Sequence, residues 1–421
     1  MNAQNNTLEI IAGLDIGNGW TKGRYETPDG DFTGEIDIPS GATTVTRPND
    51  APEPDDQAPV LTAEAGWFNQ LDVSFPGDSV ADGFRHLLGE RGLVADGFFE
   101  EFDTTGKRSK VEQELSSVLV LGLLAGAGLR SHLQRAGSLP VDEPLYVRAN
   151  IALALPIIEF AAHRKAYTAL FAGKRHEVVV NNFSTPVRVV VDVVDVVVIA
   201  EGASAQYAIT DKGLPLMEGM FHDLRSRGMG QALEGITPSD VLAAQNTIGI
   251  DIGEGTTNLP VFSQRAFNAD ASTTFTKGYG SVLTRSLKAM EEQGFNGGFR
   301  NRKQLASFLS SEISPMKRGM HARVREFVDT ETAFFSSELA MQFGRVLQVV
   351  GVSTEVVYVF GGGSGQVKET LYPLLVDKVR EVTGMDSIPV LYLASDYSRR
   401  LNREGLLLAA RRRYTTLAQR V

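Results

Sequence analysis

The amino-acid sequence predicts a two-domain α/β protein whose duplicated halves face one another across a cleft. Three observations carry that prediction. The chain has 421 residues, more than one ordinary hydrophobic core accommodates. Strand-like and helix-like runs alternate along it, the pattern of α/β domains. One short motif also occurs twice: "LDIGNGWTK" at residues 14–22 and "IDIGEGTTN" at residues 250–258 share Asp, Ile, Gly, a second Gly and Thr at the same offsets. A repeat at this spacing marks a pair of domains, not a solenoid.

Taken in order, residues 8–15 are apolar and β-prone and run into the first glycine turn, and residues 20–25 read as the returning strand of a hairpin. "TRPNDAPEPDDQAP" at 46–59 is rich in Pro and Asp and predicts a surface loop. Residues 107–134 read as one long helix, and "LYVRANIALALP" at 145–156 as a buried strand with a helix from about Glu159. Two valine-rich strands follow, "HEVVVNNF" and "VRVVVDVVDVVVIA", the second carrying Asp192 and Asp195 at a solvated face or turn. Residues 212–245 are expected to be irregular, with several glycines and prolines. Residues 247–261 then repeat the strand, glycine turn and strand of the first half. Helices fill much of 280–350, and "EVVYVFGGGSG" is a strand ending in a third glycine turn. Helices at about 366–383 and 396–418, separated by a strand at 388–393, close the chain.

Composition narrows the function. A formal net charge of −10 argues against direct, non-specific nucleic-acid binding, which needs a basic surface. There is no cysteine, hence no disulfide framework, thiolate metal site or thiol nucleophile, which fits a reducing cytoplasm. The six histidines lack metal-ligand spacing. "MNAQNNTLEI" lacks the basic-then-apolar layout of a signal peptide. The uncharged stretch at 115–129 is shorter than the ~20 residues a bilayer requires, and it reads as a buried helix.

The doubled turn has a chemistry of its own. A tight turn after a buried strand aims several backbone N–H groups in one direction, and such a nest binds phosphate oxygens. Glycine admits positive φ and leaves room for the anion. Thr21, Thr256 and Thr257 can add hydroxyl donors. Asp15 and Asp251 end their strands at the mouths of the turns, where carboxylates repel phosphate unless a divalent cation intervenes; Mg²⁺ accepts carboxylates through its retained waters. Two such turns, one from each half, would grip a polyphosphate from both sides. The third turn, "FGGGSG", opens a helix whose first amides suit a nucleotide's sugar, base or α-phosphate. Neither a P-loop nor a GxGxxG fingerprint stands at these turns.

These residues resemble the actin, heat-shock-70 and sugar-kinase superfamily, and within it the bacterial plasmid-segregation actins of the ParM (StbA) type. "GLDIGNGWTK", "IGIDIGEGTTN" and "VVYVFGGGSG" are similar to that family's two phosphate turns and adenosine turn, in the family's order. "IALALPIIEF", "VIAEGASAQYAI" and "TKGYGSVLTRSL" resemble three further family segments. The resemblance implies an actin-like fold: two duplicated RNase H-like α/β domains facing a nucleotide cleft, each with a smaller subdomain. It places domain I at 1–200, completed by a C-terminal helix at 396–421, and domain II at 201–395.

The resemblance also implies the site. Asp15 and Asp251 would help hold hydrated Mg²⁺, Asp251 with a catalytic part, and Lys22 would reach the phosphates. Glu159 would position the attacking water. Gly17, Asn18, Gly19 and Thr21, with Gly253, Glu254, Gly255, Thr256 and Thr257, would line the phosphates, and Gly361, Gly362, Gly363 and Ser364 the nucleoside. Two residues depart from the family pattern. Asn18 replaces a frequent hydroxyl residue. Glu254 stands where ParM-like proteins have glycine and eukaryotic actin an acid, so it either binds metal-bound water or repels nucleotide.

The function implied is a filament-forming ATPase using ATP or GTP with Mg²⁺, its copies joined head to tail and DNA reached through an adaptor protein. Three alternatives remain open. A small-molecule kinase needs a sugar-binding constellation that the sequence does not display. A heat-shock-70 chaperone needs a β-rich substrate domain and lid after the third turn. A membrane-associated scaffold would use the tail at 399–421, which carries seven arginines against one glutamate and has the apolar and basic sides of an interfacial helix. The expected location is the cytoplasm, with the membrane disfavoured.

Overall fold

The computed structural model describes residues 7–47, 51–54, 66–81, 83–103, 108–228, 230–295, 297–385, 388–393 and 395–419. Much of the predicted acidic loop at 46–59 and the last two residues of the tail lie outside them. The chain forms two units, Met1–Ala208 with Leu401–Val421, and Ile209–Arg400.

In the first unit, ten strands form one sheet among the described residues. They are β1 (Thr7–Ile16), β2 (Trp20–Glu26), β3 (Thr33–Pro39), β4 (Gly41–Val45), β5 (Asp72–Ser74), β6 (Arg85–Leu88), β7 (Phe99–Glu101), β8 (Leu145–Leu155), β9 (Lys174–Val180) and β10 (Val187–Ala200). The order is β3-β2-β1-β8-β10-β9-β5-β6-β4-β7. β1, β8 and β10 run parallel, whereas β2 and β3 fold back antiparallel. β1 shows why this strand is apolar throughout. Leu8, Ile10, Ala12 and Leu14 join the main core with the Leu115–Ala136 helix, and Ile11 joins Leu406, Leu407 and Ala410 on the opposite face. A strand covered on both faces cannot alternate polar and apolar residues.

The terminal helix, Leu401–Ala418, approaches that second face at backbone distance. A Cβ on Gly13 would lie 2.2 Å from the Leu407 nitrogen, and one on Gly405 1.8 Å from the Ser204 carbonyl oxygen. Gly13→Ala should therefore lower unfolding free energy by about 1–3 kcal/mol, the typical cost of overpacking. Urea titration should show a lower midpoint with unchanged slope. The helix's basic side is engaged: Arg413 reaches Asp195 at 2.8 Å, Arg403 reaches Glu35 at 2.9 Å, and Arg411 pairs with Glu26. Asp195 adjoins an irregularity in the β8–β10 register after Val193, which accounts for an acid inside a valine run.

In the second unit the strands are β11 (Thr247–Ile252), β12 (Thr257–Leu259), β13 (Val261–Ser263), β14 (Ala266–Phe267), β15 (Thr273–Phe275), β16 (Val356–Phe360) and β17 (Val390–Tyr392). β12 and β13 are one returning strand interrupted at Pro260, whose carbonyl still accepts the Gly249 N–H at 2.8 Å. Both pair antiparallel with β11, β14 and β15 pair outside them, and β16 and β17 continue parallel on the other side. With each broken strand counted once, the order is third-second-first-fourth-fifth. That is the order of β3, β2, β1, β8 and β10, so the duplication legible in two turns extends to the sheet around them.

Two readings need correction. Residues 212–245 are largely helical: Ala203–Ser226 runs through the first part, and a short helix, Pro238–Ala243, follows. Gly213 breaks the long helix at φ 61°, ψ −145°. Pro215 falls two residues later, in the first turn of the resumed helix, where a missing N–H leaves no bond unmade. The helix expected over 107–134 begins only at Leu115. Before it, Ser109 and Glu112 close a capping box around the 3₁₀ turn Lys110–Glu112.

Candidate functional site

In open α/β sheets, ligands bind beyond the carboxyl ends of the parallel strands. In the first unit those ends carry acids. Asp15 is the penultimate residue of β1, Glu159 stands in the first turn of the helix Ile157–Phe171 that follows β8, and Glu201 follows β10 directly. Pro156 precedes that helix with its carbonyl accepting the Glu159 N–H at 2.9 Å, so the Leu-Pro pair fixes where the glutamate emerges.

Lys110 enters this acidic group from the capped 3₁₀ turn. Its ammonium donates to Glu201 Oε1 at 2.5 Å and to the Ile16 carbonyl at 2.7 Å, and its backbone N–H donates to Glu159 Oε2 at 3.0 Å. Lys110 is 2% and Glu201 7% exposed. Burial raises Asp15 above the usual carboxylate range, opposed by Lys22 and Lys110 and reinforced by Glu201. Glu159 is also raised, chiefly by burial, with the Lys110 amide and charge pulling the other way. Sequence reasoning missed Lys110 and left Glu201 without a role. Glu201 was findable as a third acid closing a buried strand; Lys110, 91 positions away, left no local signal.

Lys110→Met would leave acids buried without their cation. Breaking a buried pair on one side costs about 3–5 kcal/mol, so we expect a large fall in the urea midpoint at neutral pH. Lys110→Met with Glu201→Leu should recover most of it.

The first turn lies across the hairpin register Asp15↔Lys22 and Ile16↔Thr21. Gly17 donates to the Asp15 carbonyl at 3.0 Å. The side chains of Asn18 and Lys22 make no hydrogen bond with another described residue, although the Lys22 backbone is laddered to Asp15 and Asp37, leaving both side chains able to meet a ligand. Thr21 is different: its hydroxyl is fully buried, 2.7 Å from that of Ser40.

The second unit repeats the arrangement. Asp251 is 6% exposed near the end of β11. The turn after it is closed by Gly253 N–H to the Thr256 carbonyl at 2.9 Å. Tyr279 and Gly280 donate to the carbonyls of Gly253 and Glu254, each at 2.9 Å. A Cβ on Gly278 would strike those carbonyls at 2.5 Å, which explains the glycines of "TKGYGS". The Glu254 carboxylate lies 2.8 Å from Arg302 Nε, so the extra acid in this turn carries its own counter-charge. Gly255 and Thr256 are partly exposed at the turn. Thr257, like Thr21, is fully buried, and its hydroxyl donates to the Lys277 carbonyl at 3.0 Å.

The third turn packs on the second. Gly363 donates to the Ile252 carbonyl at 2.8 Å. Gly361 adopts φ +97°, and a Cβ there would stand 2.5 Å from Asp251 Oδ1. Gly362 is exposed. Ser364 is buried and donates to the Gly361 carbonyl at 2.8 Å, with Ser398 3.0 Å away; it secures the turn from within.

No family model matches this sequence, and no curated protein matches it. Solved structures do. The actin-like protein Alp7A is 16% identical, covers 98% of each chain and has a TM-score of 0.62. An archaeal actin homologue, Ta0583, is 14% identical over 96% of this chain and 99% of its own, with a TM-score of 0.59. The fold is actin-like. A Bacillus thuringiensis ParM solved with ATP shares it at 13% identity, over 96% and 98% of the two chains, with a TM-score of 0.55. Ta0583 has also been solved in complex with ADP. Among the described residues of this actin-like chain, the Leu115–Ala136 helix is long and apolar enough to cross a membrane, yet 94% of that window is buried inside the fold.

Proposed function

We propose that the chain is a nucleotide-dependent, filament-forming ATPase of the ParM (StbA) kind, segregating plasmid DNA through an adaptor protein in the cytoplasm. The carrying observation is the charge set at the strand ends. Asp15, Glu159 and Glu201 surround Lys110 beside one glycine turn, and Asp251 occupies the equivalent place beside the other.

This donor set fits a magnesium-bound nucleoside triphosphate. Asp15 and Asp251 would hold Mg²⁺ through its waters. Lys22 and Asn18, with the amides of Gly19 and Gly255, would donate to phosphate oxygens, the amides of Gly17 and Gly253 holding the two turns in shape, and Gly361–Gly363 would receive the nucleoside side. When bound, the triphosphate supplies an electrophilic phosphorus and a leaving diphosphate. The chain's own part is to hold a water and its proton. Glu159 Oε2 is occupied by the Lys110 amide, so Oε1 is the oxygen proposed to orient the water and accept its proton. Glu254, neutralised by Arg302, need not repel the ligand.

Coupling to assembly follows if the nucleotide-bound conformation self-associates better, since the two equilibria are then linked. A head-to-tail contact that does not close on itself propagates as a filament. The tail's arginines, engaged by Glu26, Glu35 and Asp195, support this reading over a membrane scaffold. Light scattering with parallel phosphate release tests it, adding Mg-ATP, Mg-GTP or Mg-ADP to micromolar protein. A rise that needs a triphosphate and decays as phosphate appears is expected. Phosphate release with flat scattering would replace the filament reading with a kinase-like or monomeric enzyme.

A further inference from the structure

We propose that copies of this chain join through an acidic, apolar knob at residues 93–101 of one copy seated on a basic, apolar loop at residues 311–319 of the next. The inference rests on the filament reading and names its contact.

The knob belongs to the first unit. Val94 and Phe98 are 81% and 83% exposed, unusual for side chains of that size. They stand among exposed acids, Glu90, Asp96 and Glu100, while neighbouring Arg91 donates to the Gln70 carbonyl. The knob is held firmly. Thr43 Oγ1 donates to the Gly92 carbonyl at 2.7 Å, β7 pairs with β4, and Gly41 leaves room for the Phe99 ring, which a Cβ would meet at 2.3 Å.

The loop belongs to the second unit. Every residue from 310 to 319 is exposed; Met316 is 98% and Ile313 44% exposed. Within 300–325 the exposed Arg300, Lys317, Arg318 and Arg325 outnumber the acid Glu312, while Arg302 and Arg323 are held by Glu254 and Glu326, in a protein whose net charge is −10. Two rigid or exposed apolar features thus carry opposite charge. Each repels its own kind and matches the other, so the contact is heterologous and each copy offers one of each.

The absence of cysteine allows a direct test in the full chain. Phe98→Cys and Met316→Cys each introduce one thiol at a site whose exposure leaves folding intact. Mixed and oxidised, the two variants should give a covalent dimer at least tenfold above either alone, because a disulfide forms only when Cα atoms come within about 7 Å. Phe98→Cys/Met316→Cys should give a ladder. Adding Glu100→Lys to one partner should reduce cross-linking several-fold, and adding Lys317→Glu to the other should restore it. Cross-linking of the mixture no higher than of the single variants overturns the proposal. So does loss of retention on anionic vesicles or duplex DNA by Lys317→Glu without any cross-link, which would assign the loop to those occupants. Sedimentation of the unmodified protein with Mg-ATP or Mg-GTP is scored separately. Pelleting without the cross-link sinks this contact alone; the cross-link without nucleotide-dependent pelleting sinks the filament ATPase and leaves the contact standing.

Discussion

Asp251→Ala should weaken Mg²⁺-dependent nucleotide binding by about 10–100-fold, the usual loss when a group bonded to a metal's bound shell is removed. The carboxylate is buried near the end of β11, and the backbone of Gly361 passes so close that any side chain there would meet Oδ1 at 2.5 Å. The carboxylate thus lies directly against the third turn, where only glycine leaves it room. Asp251→Asn separates charge from shape: it should fold as the parent does yet lose most of the Mg²⁺ dependence. Titration calorimetry with Mg-ATP and with metal-free ATP provides the comparison. Unchanged affinity in both variants would remove the second turn from phosphate binding and leave the duplicated motif a feature of the fold alone.

Glu159→Ala should bind nucleotide normally but release phosphate about 10²–10⁴-fold more slowly, the range for a lost general base, and its polymers should persist. A pH profile sharpens the claim. Burial holds the Glu159 pKa above the usual carboxylate range, and only the ionised form accepts a proton. Turnover should therefore fall as pH drops through that raised value, earlier than for a solvent-exposed glutamate near ~4.3. Lys110 counteracts the shift by its amide and charge. Lys110→Arg, which keeps the charge, should leave the acid limb near its place, whereas Lys110→Met should move it upward. Turnover unchanged in Glu159→Ala would exclude the residue from the chemistry.

The terminal helix shows how far a local pattern reaches. Its arginines and leucines suit a lipid surface as well as a domain surface, and amphipathicity alone does not distinguish them. Gly13 and Gly405 decide the matter for packing, because both yield their Cβ space to backbone from another element. The threonines make the converse point. Thr21 and Thr257 occupy matching places in the repeated motif, and both hydroxyls are spent inside their own unit, on Ser40 and on the Lys277 carbonyl. Their repetition reflects the build of the hairpin as much as any ligand.

What the sequence determined by itself is what neighbours along the chain determine: the strand–glycine turn–strand written twice, the acid closing each strand, and the Leu-Pro that sets Glu159 at the start of a helix. These depend on backbone conformations that a few adjacent residues impose. Only the tertiary structure decided which charges stand together. Lys110 lies 91 positions from Glu201 and 94 from Ile16, and Glu254 in its turn meets Arg302 at the start of the helix Arg302–Ser310. Parallel strands bring their carboxyl ends to one edge of a sheet. A buried acid must then find its counter-charge wherever the fold delivers one, because an unpaired charge away from water costs several kcal/mol.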